Sequence, residues 1–565
     1  MSGTLHQIES LRFHLHHIAG LESLLQNACF VHIDNTVIDL MMEQATRFSE
    51  EALVPLAERG DRQGCRLSDG QVTLPEDSAS AYAQWCALGF PALPIPEAQG
   101  GFGFPRVVQQ AIQEMQDGAN LAFGMLCINQ RCAATALLAS ANQAQMDTWL
   151  PLLTSGELAA TIAISEPQAG SDVGRIRTRA QRKNDDTWQL SGTKLWISYG
   201  DHNATDNILH LVLARTGEAG TRGLSLFAVP KLLDGQPNGV GVLRLEEKMG
   251  LHASPTCVLE LENATGYLIG EPGRGLASLF PMMNAMRLAV SVQGSAVANA
   301  ATSHALQYAR ERPQGGRPDQ PAIPIIEHAD VKRMLLEMTA KSELLRALSM
   351  RTAGYLDLAD TLSDAEATSI RQRAELLLPV AKTLSAEWGF EVASLGIQVL
   401  GGYGYTSDYP LERMARDIRV AAVYEGTSGI QALDFVKRKL LGDQLATILA
   451  LLDSISTDLA GSTPGNPLHQ PLTAMLASYL PLLRDLSARE FPPEEGAYAI
   501  LRLSGLLFGA WNGLCLYRAA TQGVSAYQRR LCQALSWFST GLTAEFDAWA
   551  ARARVGKLEL ALEND

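Results

Sequence analysis

Residues 416–442 read RDIRVAAVYEGTSGIQALDFVKRKLLG. Within them Tyr424, Glu425, Gly426 and Thr427 put a carboxylate beside an aromatic ring, inside an apolar stretch and just ahead of a turn of small residues. Desolvation raises a carboxyl pKa in such surroundings, which suits a base working near neutral pH. The same residues would also make a helix N-terminus, with Thr427 or Ser428 as its cap. Residues 164–180, ISEPQAGSDVGRIRTRA, collect small residues and hydroxyls around Gly170, Ser171 and Asp172. Such a segment lets the backbone approach a flat or phosphorylated ligand, or it is an ordinary β-turn. In SGTKLWISYGDHNATD, residues 191–206, Trp196 and Ser198 stand two apart in a predicted strand and are expected to share a face. They would give an aromatic wall and a hydroxyl to a heteroaromatic ring, or simply belong to a core. Gln398, Gly401 and Gly402 open QVLGGYGYTSDYPLERMARDIR, which permits either close backbone approach or a helix–turn–helix connection. Arg287, in the apolar MMNAMRLAV, is a cation for a ligand or one half of an interhelical ion pair.

The elements that must hold these residues follow from periodicity. Residues 36–60 repeat apolar positions at helical spacing, GFPALPIPEAQGGFGFP at 89–105 interrupts, and helix resumes from Val107 to about Leu153. From Ala160 to about Gly270 short β-branched segments alternate with Gly, Asn, Asp and Pro, as in an antiparallel barrel or sandwich. Long helical runs return from Gly275 to about Leu441, broken by a loop at 312–324, and a further helical block follows Gly442. Residues 457–471, TDLAGSTPGNPLHQP, read as an exposed linker or hairpin within that block. The fold class is α+β multidomain, in five segments: an extension at 1–35, a helical domain at 36–159, a β-barrel domain at 160–273, a helical bundle at 274–441 and an extra helical domain at 442–565.

Composition narrows the function classes. With 47% hydrophobic and 19% charged residues the chain has the balance of a folded globular protein. A net charge of −14 disfavours a general affinity for nucleic acid or anionic lipid. The eight cysteines form no CxxC pair, so neither a zinc site nor a disulfide framework is expected, and Cys127 and Cys132 read as buried packing. No signal peptide and no run of about 18 uncharged apolar residues is legible, so the expectation is a cytoplasmic protein without membrane insertion.

The order and spacing of these segments over residues 36–441 resemble the acyl-CoA dehydrogenase family. KMGLHASPTCVLELENATGYLIGEPGRGL at 248–276, the ending EGTSGIQALDFVKRKL and the extra C-terminal block are similar to its long bacterial branch, which includes 3-methylmercaptopropionyl-CoA dehydrogenases. The resemblance implies FAD as cofactor and Glu425 as the base that removes the α-proton of an acyl-CoA while the β-hydrogen leaves as hydride. Some members place the base just before a substrate-binding Arg; here Met286 precedes Arg287 and cannot accept a proton. By the same resemblance Ile164, Ser165, Ser171, Trp196, Ser198, Arg312, Gln398, Gly401, Gly402 and Thr427 contact FAD, with Arg312 reaching the pyrophosphate of a neighbouring subunit. Ser171, Arg287 and Tyr424 face the acyl-CoA. No metal is implied. A homodimer or dimer of dimers is implied, with an electron-transfer flavoprotein as electron acceptor.

Three departures stand out. Ser165 and Ser198 replace Thr, Pro-Gln-Gly-Gly follows Arg312 in place of a short turn, and Gly429 lacks a side chain found in some relatives. Related readings are an oxygen-using acyl-CoA oxidase, a carrier-protein-linked acyl dehydrogenase and a DNA-alkylation-response flavoprotein. The last requires a basic C-terminal domain, whereas residues 442–565 hold nine basic and twelve acidic residues.

Overall fold

The computed structural model describes residues 2–183 and 186–559. In chain order the helices of the first part are α1 Ser2–His17, α2 Leu21–Leu25, α3 Asn35–Phe48, α4 Val54–Gln63, α5 Ser78–Ala87, α6 Arg106–Ala119, α7 Leu121–Ser140 and α8 Gln143–Ser155. Local chemistry explains their starts: the Asp34 carboxylate accepts from Val37 N–H, Asn120 caps α7, and Asn142 with Gln145 forms a reciprocal capping box on α8. A hairpin, β1 Arg66–Ser68 and β2 Gln71–Thr73, interrupts the region expected to be purely helical. It turns on Asp69 and Gly70, both with positive φ, the backbone that a two-residue hairpin needs.

The β domain contains β3 Leu158–Ala163, β4 Arg179–Arg182, β5 Trp188–Ser198, β6 Asn207–Arg215, β7 Leu224–Pro230, the short pair β8 Leu232–Leu233 and β9 Gln236–Pro237, β10 Val240–Leu245 and β11 Thr256–Ile269. Pairings β4–β5, β5–β11, β11–β7, β7–β6 and β6–β4 close a ring, the expected barrel. It is not wholly antiparallel. β3 runs parallel to β6, from Leu158↔Asn207 to Ala163↔Val212, and β4 meets β6 in parallel at Arg179↔Arg215. A parallel ladder needs a long crossover between its strands, and residues 164–206 supply one.

The remaining helices are α9 Gly275–Glu311, α10 Ala329–Asp360, α11 Asp364–Leu400, α12 Gly402–Tyr405, α13 Leu411–Ile418, α14 Ser428–Leu433, α15 Ala446–Ala460, α16 His469–Ser487, α17 Pro493–Ala520 and α18 Ala526–Ala553. The chain divides into two compact units. One takes in residues up to His32, Arg106–Glu114 and everything from Val290 on; the other is Ile33–Pro105 with Met115–Ala289. By length and composition α7, α9 and α17 could each cross a membrane, and their apolar windows are 89%, 61% and 100% buried within the protein.

In the first unit α10 and α11 lie along each other, and α15, α17 and α18 pack on them. The connection at 457–471 is shorter and less exposed than expected. Asn466 is buried and donates to the Leu514 carbonyl at 3.0 Å, and Leu468 is fully buried behind it. The N-terminal extension is built into this unit by a buried polar cluster. Arg346 of α10 donates to Glu114 of α6 at 2.8 Å and pairs with Glu343 at 3.5 Å. Ser10 of α1 and Tyr527 of α18 each donate to Glu343 at 2.8 Å, and Ser295 of α9 donates to Glu114 at 3.0 Å. One guanidinium therefore ties together five helices. Replacing it with an apolar side chain leaves two buried carboxylates without their cation, so Arg346→Leu should lower stability by about 3–5 kcal/mol. Urea unfolding followed by circular dichroism measures this.

Candidate active site

Beyond β3 the chain continues as Ile164 and Ser165 alongside β5. Leu195 N–H donates to the Ser165 carbonyl at 2.9 Å, and the Lys194 ammonium donates to the Ile164 carbonyl at 2.9 Å. Lys194 is fully buried; it also donates to the Leu213 carbonyl of β6 at 2.7 Å and pairs with Glu166 at 2.9 Å. Glu166 in turn accepts from the N–H groups of Arg177 and Thr178 at 2.7 and 3.0 Å, which folds the segment that bears Ser171 back on itself. Burial pulls Lys194 down to about 8, against the attraction of Glu166. Burial pushes Glu166 up, but Lys194 and the hydrogen bonds from Thr178 and Arg177 outweigh it and hold the carboxyl at about 2. At neutral pH both groups are charged. Ser171 is exposed at the end of this segment, and the adjoining Gly170 faces open space.

Trp196 does not obey the alternation expected of its strand. Ile197 pairs with Cys257 and Lys194 with Leu259, so β5 carries one residue more than β11 over this interval. The extra residue is accommodated by a bulge at which Trp196 adopts φ 64°. The ring is thereby turned out of the barrel core and is 60% exposed. Ser198 is half-buried, and its carbonyl accepts from Asn129 of α7 at 3.0 Å. Ile164 packs against the apolar cluster that includes Met282 and Met286 of α9. Arg287 follows Met286 on that helix and is buried.

In the other unit the turn at 424–427 is anchored from three helices. The Tyr424 hydroxyl donates to Gln293 Oε1 on α9, the Gln431 amide of α14 donates to the Glu425 carbonyl at 2.8 Å, and the Lys382 ammonium of α11 donates to the Gly426 carbonyl at 2.7 Å. Glu425 has φ 55° and Gly426 φ 92°, two successive left-handed residues. A half-buried glutamate in that conformation is strained, and such strain persists where the surroundings over-determine it. Thr427 caps α14, its hydroxyl accepting from Ile430 N–H at 3.3 Å. The helix-cap reading of this segment is therefore realised together with an unusual glutamate.

The same unit brings Arg312, Gln398 and the two glycines towards one corner. α11 ends where Gly401 N–H donates to the Gln398 carbonyl at 3.2 Å, and Gly401 and Gly402 both face open space. Arg312, exposed after α9, sits over the exposed Tyr403 ring at 5.7 Å. The 312–324 loop is cross-linked by Gln314 N–H to the Ile323 carbonyl at 2.8 Å.

Family models match three stretches of the chain: the N-terminal domain of acyl-CoA dehydrogenase at 38–157, its middle domain at 161–264 and its C-terminal domain at 273–440. A 3-methylmercaptopropionyl-CoA dehydrogenase of Ruegeria pomeroyi is 39% identical over 89% of this chain and 89% of its own. A broad-specificity linear acyl-CoA dehydrogenase of Mycobacterium tuberculosis is 33% identical over 84% of this chain and 81% of its own. The chain belongs to the acyl-CoA dehydrogenase family. It is an oxidoreductase acting on CH–CH groups. The crystal structure of an acyl-CoA dehydrogenase from Bacillus anthracis complexed with FAD shares the fold, with a TM-score of 0.76, 23% identity and coverage of 92% of this chain and 88% of its own.

Sequence reading did not single out Lys194, Glu166, Lys382, Gln431 or Gln293. The signal for the two lysines is plain in retrospect: each is a lone charge in an apolar run, GTKLWIS and LPVAKTLSA. Among the described residues no group of His, Cys, Asp and Glu could hold a metal ion. Glu166, about 2 when folded against 4.5, contributes stability that is present above pH 4.5 and lost as pH falls through about 2. Lys194 works in the opposite sense, opposing folding below about 8 and less so as pH rises towards 10.5. Glu166→Gln should therefore flatten the acid limb of the stability profile between pH 4.5 and 2, measured by urea midpoints across that range.

Proposed function

We propose that this protein uses FAD to desaturate an acyl-CoA thioester between its α and β carbons, with Glu425 as the base. The observation that carries the reading is the left-handed Glu425, held in a turn whose backbone is pinned by side chains from other elements. The residues fit the cofactor. Trp196 offers an exposed ring face, Gly401 and Gly402 face open space, and Arg312 is an exposed cation suited to a phosphate. Ile164, Ser165, Ser171, Trp196, Ser198, Gln398 and Thr427 would hold FAD with them.

Catalysis removes two hydrogens from the acyl chain: the α-hydrogen leaves as a proton to Glu425, and the β-hydrogen leaves as hydride, which FAD when bound accepts. The electron pair of the broken α C–H bond becomes the new C=C bond. Glu425 binds the proton until it is lost to solvent, and Met286 cannot share that duty because its thioether is no base at neutral pH. Arg287 and Tyr424 orient the thioester, and Ser171 the CoA arm. The relatives' names span methylmercaptopropionyl, butyryl and linear acyl groups, so the reading specifies the acyl-CoA class rather than one chain. With Arg312 on the FAD of a neighbouring subunit the protein is at least a homodimer; it acts in the cytoplasm and passes electrons to an electron-transfer flavoprotein.

Glu425→Gln keeps shape and hydrogen bonding but removes the proton acceptor. Loss of a general base typically slows reaction by about 10²–10⁴-fold, and the high end is expected here. FAD content and acyl-CoA binding should persist. Anaerobic stopped-flow mixing with a panel of acyl-CoA thioesters follows flavin bleaching, and bleaching at the parent rate would place the base elsewhere.

A further inference from the structure

Resting on the assignment of Glu425 as base, the geometry points to Lys382 as a positioning residue for it, acting through the Gly426 carbonyl. The ammonium is fully buried in the middle of α11, in a run from Leu376 to Ala386 in which every residue is buried. Burying an ammonium is unfavourable unless it meets strong acceptors, and one that Lys382 meets is the Gly426 backbone carbonyl, at 2.7 Å. Carbonyls in the interior of a helix already have ladder partners. The Gly426 carbonyl does not sit in a ladder, because the chain at 423–426 is a turn between Arg419–Ala422 and α14.

The peptide planes on the C-terminal side of Glu425 are thus fixed by side chains. Gln431 takes the Glu425 carbonyl and Lys382 takes the next one. With both captured, the left-handed pair cannot relax by rotating a peptide plane towards ordinary φ, and the carboxylate keeps one direction. The framework behind this grip is a close helix crossing. A Cβ at Gly294 of α9 would lie 2.0 Å from the Ser385 carbonyl of α11, and one at Gly389 would lie 2.9 Å from the Gly294 carbonyl. The two helices therefore touch backbone to backbone beside Gln293 and Lys382, the residues that hold Tyr424 and Gly426.

Lys382→Met keeps length and removes the donor; Lys382→Arg keeps charge and donors. Three quantities separate positioning from general support: anaerobic flavin reduction, acyl-CoA affinity, and backbone hydrogen–deuterium exchange of the 424–430 peptide. Misplacing a reacting group by about 1 Å can lower the rate about 10²-fold. For Lys382→Met the expected result is flavin reduction slower by about 30- to 100-fold, acyl-CoA affinity and FAD content within about threefold of the parent, and faster exchange confined to 424–430. Lys382→Arg should recover part of the lost rate. Should the Met variant not fold, Lys382→Arg alone must show slower reduction with faster exchange at full FAD content. Parent-like reduction in a folded Met variant, or FAD content and affinity falling in step with rate, would overturn the proposal. A parallel Glu425→Gln sample separates the two readings: if it reduces normally, the base assignment fails and Lys382 with it. If it is silent while Lys382→Met behaves as the parent, the Lys382 assignment alone fails.

Discussion

A glutamate held in the left-handed region carries conformational strain of roughly 1–3 kcal/mol, and a free chain would relieve it at once. That strain at Glu425 is the feature around which the helical unit is arranged. Tyr424, Glu425 and Gly426 are each gripped by a side chain from a separate helix, and those helices are α9, α14 and α11. Gly294 and Gly389 let α9 and α11 approach closely enough for their side chains to reach one turn. The left-handed Gly426 completes the arrangement, since any Cβ there would lie 2.8 Å from the Gln431 amide that holds Glu425.

The β unit uses the same device with different elements. A buried lysine again donates to backbone carbonyls, here Ile164 just beyond β3 and Leu213 within β6. Its partner Glu166 gathers two backbone N–H groups and so shapes the turn that ends in Ser171. In each unit one residue assigned to the site sits on irregular backbone, Trp196 at a bulge and Glu425 in a turn. Irregular backbone has unpaired polar groups, and buried charged side chains satisfy them at fixed positions.

The C-terminal helices give that framework a large apolar backing. α17 is buried on all sides and packs on α10, α11 and α14, the last of which carries Gln431 and starts at Thr427. Arg351 of α10 lies over the Trp511 ring of α17 at 3.9 Å while its Nε donates to Asn512 at 2.7 Å, fastening the added block to the bundle. The N-terminal α1 is drawn in by the Arg346 cluster. Residues at the two ends of the chain thus stabilise the helices that hold the turn without contributing to it.

Periodicity and punctuation were enough to place the helical, β, helical and helical segments in order, because each element needs a face to bury and a residue type to end it. The short motifs around Glu425, Trp196, Ser171 and Gly401 were legible for the same local reason: glycine, hydroxyl and aromatic residues at close spacing constrain their own backbone. The Asp69-Gly70 hairpin was missed, although an Asp-Gly pair between short strands is a hairpin signal. Strand direction was not legible, since alternation is the same whether β3 and β6 run parallel or antiparallel. Nor was the bulge that turns Trp196 outward, because it depends on the register of β11. The holders of the turn at 424–427 were the least visible. Lys382 lies 44 residues from Gly426, and Gln293 lies 131 from Tyr424. No local pattern links residues so far apart, and only the crossing of α9 with α11 decides that a lysine in an apolar run meets a particular carbonyl.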